Sequence, residues 1–368
     1  MSKKVLFVCN TVMQLISAVT LRYTKFKNDD VDIIISNHIN DSKEIYNRIK
    51  KYNYFNNVYH VETFKFTRFQ ENVPDTVIKK VKYILFTNEY LKKYININKV
   101  YDYMLCYNLD LFVQALTYVQ SRKNKNFKIG IIDEGYSTYT NLFGDILNGW
   151  SQPIKKVDIV NKVLGQKRLH ECIESVYLFE PELICWNCQF PINKIKKPDI
   201  LDFKYKAMIN NIFGYENIID NYNRKVIFFE ESFVVEHVNI NDMDVIDSVC
   251  ELVGKDNVII KIHPRNPRDR FKNKGYKTNE NTSIPWEVIA INNDFKNTTL
   301  VTISSGAVIM PKLLFGINAR VVMLYKCFKD KLPNIDKSVE EFFLKYETIY
   351  KSNIRIIDNL SEIKEIFE

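Results

Sequence analysis

The sequence predicts an α/β protein with parallel sheets in two domains. Three observations carry this. Short apolar, β-branched runs alternate with longer stretches of helical spacing. The scheme occurs twice, with a Lys-, Asn- and Asp-rich stretch between the two sets. The strand-like runs are apolar enough to be covered on both faces, as parallel strands are. In the first set the strand runs are residues 5–9, 31–36, 58–61, 101–107 and 128–133. Leu15, Ala18, Val19 and Leu21 mark one helix, and Leu111, Phe112, Ala115, Leu116 and Val119 another. In the second set, residues 225–229, 257–263, 300–303 and 319–324 read as strands, and 243–253 and 308–315 as helices. The expected division is a first domain over 1–195, a linker over 196–223 and a second domain over 224–368, with a cleft between the domains.

Composition narrows the class. At 368 residues, with 46% hydrophobic and 26% charged residues, the chain is globular rather than disordered or fibrous. Its 52 Lys and Arg against 44 Asp and Glu leave a net charge of +8. That excess suits an anionic substrate or a membrane surface and is too weak to argue for nucleic acid. Seven scattered cysteines, mostly inside apolar runs, point to a reducing compartment rather than a disulfide framework. The opening MSKKVLFVCNTVMQLISA mimics a short signal peptide. Asn10, Thr11 and Gln14 break its apolar run, so a strand entering a helix is the reading adopted. No apolar run reaches the roughly 18 residues that a membrane-spanning helix needs, so a cytoplasmic protein is expected.

In parallel sheets, ligands bind beyond the carboxyl ends of the strands. The stretches to inspect are therefore 9–14, 133–135, 230–233, 263–268 and 304–306. Lys261-Ile262-His263-Pro264-Arg265 puts a histidine at a strand end, and Pro264 stops the ladder there. With Arg265, Arg268 and Arg270 nearby, His263 suits an anion; it can donate to a phosphate oxygen or protonate a leaving phosphate. An ordinary loop histidine would look the same in sequence. Thr302-Ile303-Ser304-Ser305-Gly306 ends a strand with two hydroxyls before a helix, whose first N–H groups could cradle an anion. A plain Ser cap is the simpler alternative. Asp133-Glu134-Gly135 closes another strand with two acids, and a carboxylate there can take a proton from an attacking hydroxyl. Pro285-Trp286-Glu287 opens a short helix whose acid could hold two ribose hydroxyls or merely complement the helix dipole. Glu230-Glu231-Ser232 is equally ambiguous.

Other signatures are missing. The sequence holds no GxGxxG, GxxxxGK[ST], GxSxG or HExxH. Cys185-Trp186-Asn187-Cys188 has the spacing of a metal half-site without a second pair. Asp242-Met243-Asp244 reads as helix capping rather than a metal-binding DxD.

Taken in order, the Asp133-Glu134-Gly135, His263-Pro264 and Ser304-Ser305 motifs resemble those of bacterial sialyltransferases, most closely glycosyltransferase family 52. The strand-loop-helix opening Cys9-Asn10-Thr11-Val12-Met13-Gln14 is similar too, with Val12 where a proline is common, and Pro285-x-Glu287 matches the family's ribose-binding acid. The resemblance spans residues 5–325. It implies a GT-B fold, two Rossmann-like domains facing a cleft, with the acceptor on the amino-terminal side and the CMP-sugar donor on the carboxyl-terminal side. It implies metal-independent, inverting transfer of sialic acid from CMP-sialic acid to a sugar hydroxyl, galactose-type, of a bacterial surface glycan such as lipooligosaccharide or capsule. No cofactor beyond that donor substrate is implied.

The implied roles are as follows. His263 and the Ser304–Ser305–Gly306 turn stabilise the departing CMP phosphate, with Lys261 and Pro264 beside the nucleotide and Glu287 on the ribose. Thr11 and Gln14 face the sialic acid. Asp133 is the first choice as base and Glu134 the second, with Glu230, Glu231 or Asp242 as alternatives from the second domain. A donor such as CMP-Kdo or a UDP- or GDP-sugar, and a non-catalytic role in capsule assembly, are the competing readings. The family is compatible with a homodimer and with peripheral contact at the inner face of the cell membrane; no nucleic-acid partner is implied.

Overall fold

The computed structural model describes residues 2–63, 66, 84–149, 155–216, 222–266, 270–279, 281–332 and 335–367. The chain divides into two compact units, Met1–Pro198 with Ala207–Ile212, and Asp199–Lys206 with Phe213–Glu368. Arg268 lies outside the described residues.

The first unit holds a seven-stranded sheet of β1 (Lys4–Cys9), β2 (Asp30–Ser36), β3 (Val58–Val61), β4 (Tyr103–Cys106), β5 (Lys128–Ile132), β6 (Ile173–Leu178) and β7 (Ile192–Lys194). Its order is β3-β2-β1-β4-β5-β6-β7, and every pair is parallel. Val5 to Cys9 are all buried, so β1 is the centre of the core. The strand order reverses between β1 and β4. Helix α1 (Val12–Thr24) leaves β1 toward one edge, and helix α2 (Leu111–Lys123) leaves β4 toward the other. Both helices begin at that crevice with a side-chain cap: Thr11 accepts the Gln14 N–H, and Asp110 accepts the Val113 N–H.

The far side of this sheet is tied by a buried acid. Asp32 on β2 is fully buried and accepts from Tyr101 Oη at 2.6 Å, Asn57 N at 3.0 Å and Lys99 Nζ at 3.0 Å. Lys99 also pairs with Asp30 at 2.6 Å. A buried carboxylate is tolerable when so many donors surround it.

The second unit holds a five-stranded parallel sheet of β8 (Val226–Phe229), β9 (Val258–Lys261), β10 (Thr299–Thr302), β11 (Arg320–Met323) and β12 (Ile354–Ile356). The order β12-β11-β10-β8-β9 reverses between β8 and β10. Trp286 packs on Phe229, Tyr222 and Phe295, with ring centroids 4.7, 6.1 and 5.3 Å away. That aromatic cluster anchors the short helix α3 (Trp286–Asn292), which carries Glu287.

Three expected boundaries differ. The run expected as a strand to residue 263 stops at Lys261, because the Ile262 and His263 amides bond to side chains, Asn279 Oδ1 at 2.6 Å and Glu230 Oε2 at 2.8 Å. The helix expected over 308–315 splits into a 3-10 turn at Gly306–Ile309 and an α-helix at Met310–Phe315. Pro311 has no N–H for the Ala307 carbonyl, so a continuous α-helical ladder is not available there. The stretch 196–223 is not simply a tether, since it contains the helix Phe203–Phe213, with Tyr205, Met208, Ile209 and Ile212 buried.

Gly130 on β5 is where the first sheet has no room for a side chain. A Cβ there would meet Tyr103 Oη at 2.7 Å and the Tyr177 ring at 2.8 Å. Gly130→Ala is expected to lower stability by about 1–3 kcal/mol through this overpacking, read as a lower urea midpoint; an unchanged midpoint would show that the tyrosines yield freely.

Candidate functional site

The Asp133–Gly135 turn leaves β5 at its carboxyl end, one strand from the crevice. Asp133 is fully buried and accepts three hydrogen bonds: from Tyr139 Oη, from Phe179 N at 3.0 Å and from Gly135 N at 2.8 Å. Burial pushes its carboxyl up to about 6, against the pull of those donors. Gly135 sits at a φ of 91°, a conformation glycine adopts without a Cβ penalty. Glu134, partly open to solvent, has a different setting. Burial raises its carboxyl to about 7; the nearby Thr11 and Gln14 side chains oppose that rise, and the neighbouring Asp133 adds to it. Its backbone N–H donates to Thr138 Oγ1 at 2.9 Å, and Ser17 Oγ on α1 donates to the Asp133 carbonyl at 2.8 Å. Helix α1 is thus fastened to the acidic turn through Ser17.

Thr11 is part-exposed at the start of α1, whereas Gln14 does not present itself to a ligand as expected. Gln14 is fully buried. Its Oε1 accepts the Asn10 N–H at 2.8 Å, and its Nε2 donates to Asn108 Oδ1 at 2.8 Å. Asn10 Nδ2 reaches Asp110 Oδ2 at 3.3 Å. A buried amide with these partners serves the protein's own groups.

In the second unit the strand-end loops meet around two glutamates. Glu230 accepts the His263 N–H and pairs with Arg270 at 3.0 Å, while Arg270 also pairs with Asp242. Glu231 accepts from Thr302 Oγ1 and from Ser304 N, both at 2.7 Å. Asn266 Nδ2 donates to the Glu231 carbonyl at 2.7 Å. Burial raises both glutamates from the usual range, opposed for Glu230 by the His263 amide and for Glu231 by Thr302.

His263 is half-buried at the end of this framework. Its Nδ1 accepts the Arg265 N–H at 3.3 Å, which assigns the proton to Nε2. Burial, with Arg265 and Lys261 nearby, lowers the imidazole to about 4, so at neutral pH it is an uncharged N–H donor. Pro264 is exposed in the turn that follows. Lys261 ends β9, and its charge draws the Glu287 carboxyl downward while burial drives it up. Ser305 caps the 3-10 turn, its Oγ accepting the Ala307 N–H at 3.4 Å, and Gly306 opens that turn.

The chain matches the alpha-2,8-polysialyltransferase family model over residues 5–324. It belongs to that family. Comparison with curated protein sequences gives no match. Among solved structures, an alpha/beta-galactoside alpha-2,3-sialyltransferase from the luminous marine bacterium Photobacterium phosphoreum is similar, with a TM-score of 0.53 at 11% identity, covering 98% of this chain and 99% of that one. The spinosyn forosaminyltransferase SpnP has a TM-score of 0.52 at 8% identity, over 99% and 89% of the two chains. The glycosyltransferase of kitacinnamycin has 0.51 at 10% identity, over 99% and 89%. These likenesses give the fold, which is of GT-B type, as expected. The family match bears out the resemblance to sialyltransferases and makes the protein a glycosyltransferase.

Within this polysialyltransferase-family protein several expectations need correcting. Asp133, the first choice as base, is enclosed and its carboxylate is occupied by three donors; Glu134 is the accessible acid of the pair. Glu230, Glu231 and Asp242 are buried with partners of their own and hold loops. Asp242 does not cap its helix but pairs with Arg270. Arg265 and Arg270, expected beside an anion, are engaged by Glu236 and by Glu230 with Asp242. The Ser304 amide, expected to face an anion, is spent on Glu231, and the Ser305 amide donates to Thr302 Oγ1 at 3.0 Å. Cys185 and Cys188 each donate to a backbone carbonyl, of Leu183 and Phe190. Asn10, Asn108, Asp110, Tyr139 and Asn266 were not anticipated. Asp110 alone carried a signal, as an acid just before an apolar helical run.

The Glu134 carboxyl has a thermodynamic consequence. Its folded value, about 7, lies above the ordinary 4.5, so this group's contribution to stability is fully present below 4.5 and is lost as pH rises through 7. Glu134→Gln is expected to raise stability at pH 8 by about 1–3 kcal/mol and much less at pH 5, read from thermal melts. Equal effects at both pH values would show that Glu134 is not held protonated by its surroundings.

Proposed function

We propose that this family member is an inverting transferase that moves sialic acid from CMP-sialic acid to a glycan already ending in sialic acid, with Glu134 as the base. The observation that carries the reading is the family match over residues 5–324; of the two acids closing β5, Glu134 is the one partly open to solvent, with its carboxyl raised by burial to about 7. The family description favours a sialyl terminus and an α-2,8 linkage over the galactose-type acceptor expected from the sequence.

In this scheme the acceptor hydroxyl oxygen attacks the anomeric carbon of the donor sugar. Its proton passes to Glu134, the bond from that carbon to the phosphate oxygen breaks, and CMP leaves with the electron pair. His263 Nε2–H and the Ser305 hydroxyl donate to the phosphate as its charge grows; in this neutral tautomer the histidine acts as a hydrogen-bond donor, not a strong acid. Glu287, on its aromatic anchor, holds the ribose, with Lys261 and Pro264 by the nucleotide. Ser304 and Gly306 shape the turn. The donor brings its own leaving group, so the scheme uses no metal or further cofactor. Among the described residues no three His, Cys, Asp or Glu side chains converge as a metal set.

Among the described residues no helix is long and apolar enough to cross a membrane. The proposal places the enzyme in the cytoplasm, where its net charge of +8 suits contact with an anionic membrane face. Homodimer formation fits the scheme without being required by it.

The test is CMP release from CMP-sialic acid with sialyl- and galactosyl-terminated acceptors, beside CMP-Kdo, UDP-sugars and GDP-sugars as donors. Turnover is expected with CMP-sialic acid and the sialyl acceptor, unaffected by EDTA. The rate should fall about tenfold per pH unit below 7, because the base must be ionised. His263→Ala should cost about 10²–10³ in rate. Turnover with another donor cancels the donor assignment, a galactosyl preference cancels the acceptor, and no turnover with any donor supports the assembly-partner reading.

A further inference from the structure

The turn that closes β10 is built on one oxygen atom. Glu231 Oε1 accepts the Thr302 hydroxyl and the Ser304 N–H, both at 2.7 Å. Thr302 Oγ1 in turn accepts the Ser305 N–H at 3.0 Å. A hydroxyl gives one hydrogen and accepts at its lone pairs, so Thr302 serves both partners at once. The carboxylate therefore holds Ser304 directly and Ser305 through Thr302. Thr302 is the last residue of β10 and is fully buried, paired in the sheet with Phe229 and Met323. It is closed off from any substrate. Ser305 is part-exposed, and its Oγ accepts the Ala307 N–H at 3.4 Å. Accepting leaves the Ser305 hydroxyl hydrogen free to donate, and none of the described residues takes it.

We propose that Thr302 is a positioning residue, which aims the Ser305 hydroxyl by relaying the hold of Glu231 to the Ser305 amide. This rests on the reading of Ser305 as a donor to the leaving phosphate. Fixing an amide fixes its peptide plane, and with it the direction in which the residue's Cα–Cβ bond points. Ser305 is thereby held at two points, its N–H by Thr302 and its Oγ by Ala307. A donor that must meet charge as it develops has to be in place beforehand, and a misplacement of about 1 Å can cost about 10² in rate. Ser304 keeps its own bond to Glu231 whatever stands at 302. Removing the Thr302 hydroxyl therefore loosens Ser305 selectively.

The test is a double-mutant cycle on the full chain, read as kcat and KM for CMP release from CMP-sialic acid. Thr302→Val keeps the branched shape and removes the hydroxyl. It should lower kcat about tenfold and leave KM for the donor little changed, since the Ser305 bond strengthens as the phosphate takes up charge. Thr302→Ser keeps the hydroxyl and should recover most of kcat, which separates the lost bond from a repacked strand. In a Ser305→Ala background, Thr302→Val should cost less than about twofold, because the hydroxyl it aims is already gone. Thermal melts come first, and rates are compared at a temperature where every variant is folded. Equal losses in both backgrounds, with Ser305→Ala itself impaired, would mark a general structural role and overturn the inference alone. A raised KM with unchanged kcat in Thr302→Val would overturn it too. A fully active Ser305→Ala would overturn the reading of Ser305 and the inference with it, an outcome visible in that single variant without the cycle.

Discussion

The two sheets are closed by one repeated interaction, an acid just past a strand that accepts the backbone N–H of the loop after a neighbouring strand. Asp133, after β5, takes the Phe179 amide after β6. Glu230, after β8, takes the His263 amide after β9, and Glu231 takes the Ser304 amide after β10. Parallel ladders end where the chain must turn away, and the amides left there are buried or part-buried. An unpaired buried N–H costs free energy comparable to a lost hydrogen bond, so the loop follows wherever an acceptor waits. The carboxylates supply acceptors where carbonyls have run out. The paths of the histidine and serine loops, and the direction of Glu134, all follow from these three clasps.

This explains which parts of the site were readable in the sequence. The strand ends and the order of the motifs were, because apolar runs and their interruptions are local properties. The division of labour inside an acidic pair was not. Asp133 and Glu134 are adjacent and chemically alike, and only the fold shows that Phe179, 46 residues away, consumes the first and leaves the second. Gln14 stood in the right motif, yet its partner Asn108 comes from the end of another strand. The strands β6, β7 and β12 carried weak signals. β6 is broken by Glu174 and Ser175, and β7 and β12 are three residues long, too short for periodicity to register.

Burial acts in opposite senses on an acid of the first unit and a histidine of the second. It raises carboxyls, so Glu134 reaches the range where it can exchange a proton at neutral pH. It lowers the imidazole, so His263 remains uncharged. The same physical effect thus gives a carboxyl that can exchange a proton near neutral pH in the first unit and an uncharged imidazole in the second. The cost is stability, since every acid kept from water and only partly matched weakens the fold at neutral and higher pH.

The sequence distances spanned by the clasps bear on how the protein acquires activity. β1 pairs with β4 across 98 residues, from Val5 to Tyr103, and Glu231 reaches Ser304 across 73. Closures over such loops are entropically late events in folding. The local helices can form early, but none of the three loops has its shape until distant strands have docked. Within each unit, a partly folded chain therefore lacks the shaped loops at the strand ends.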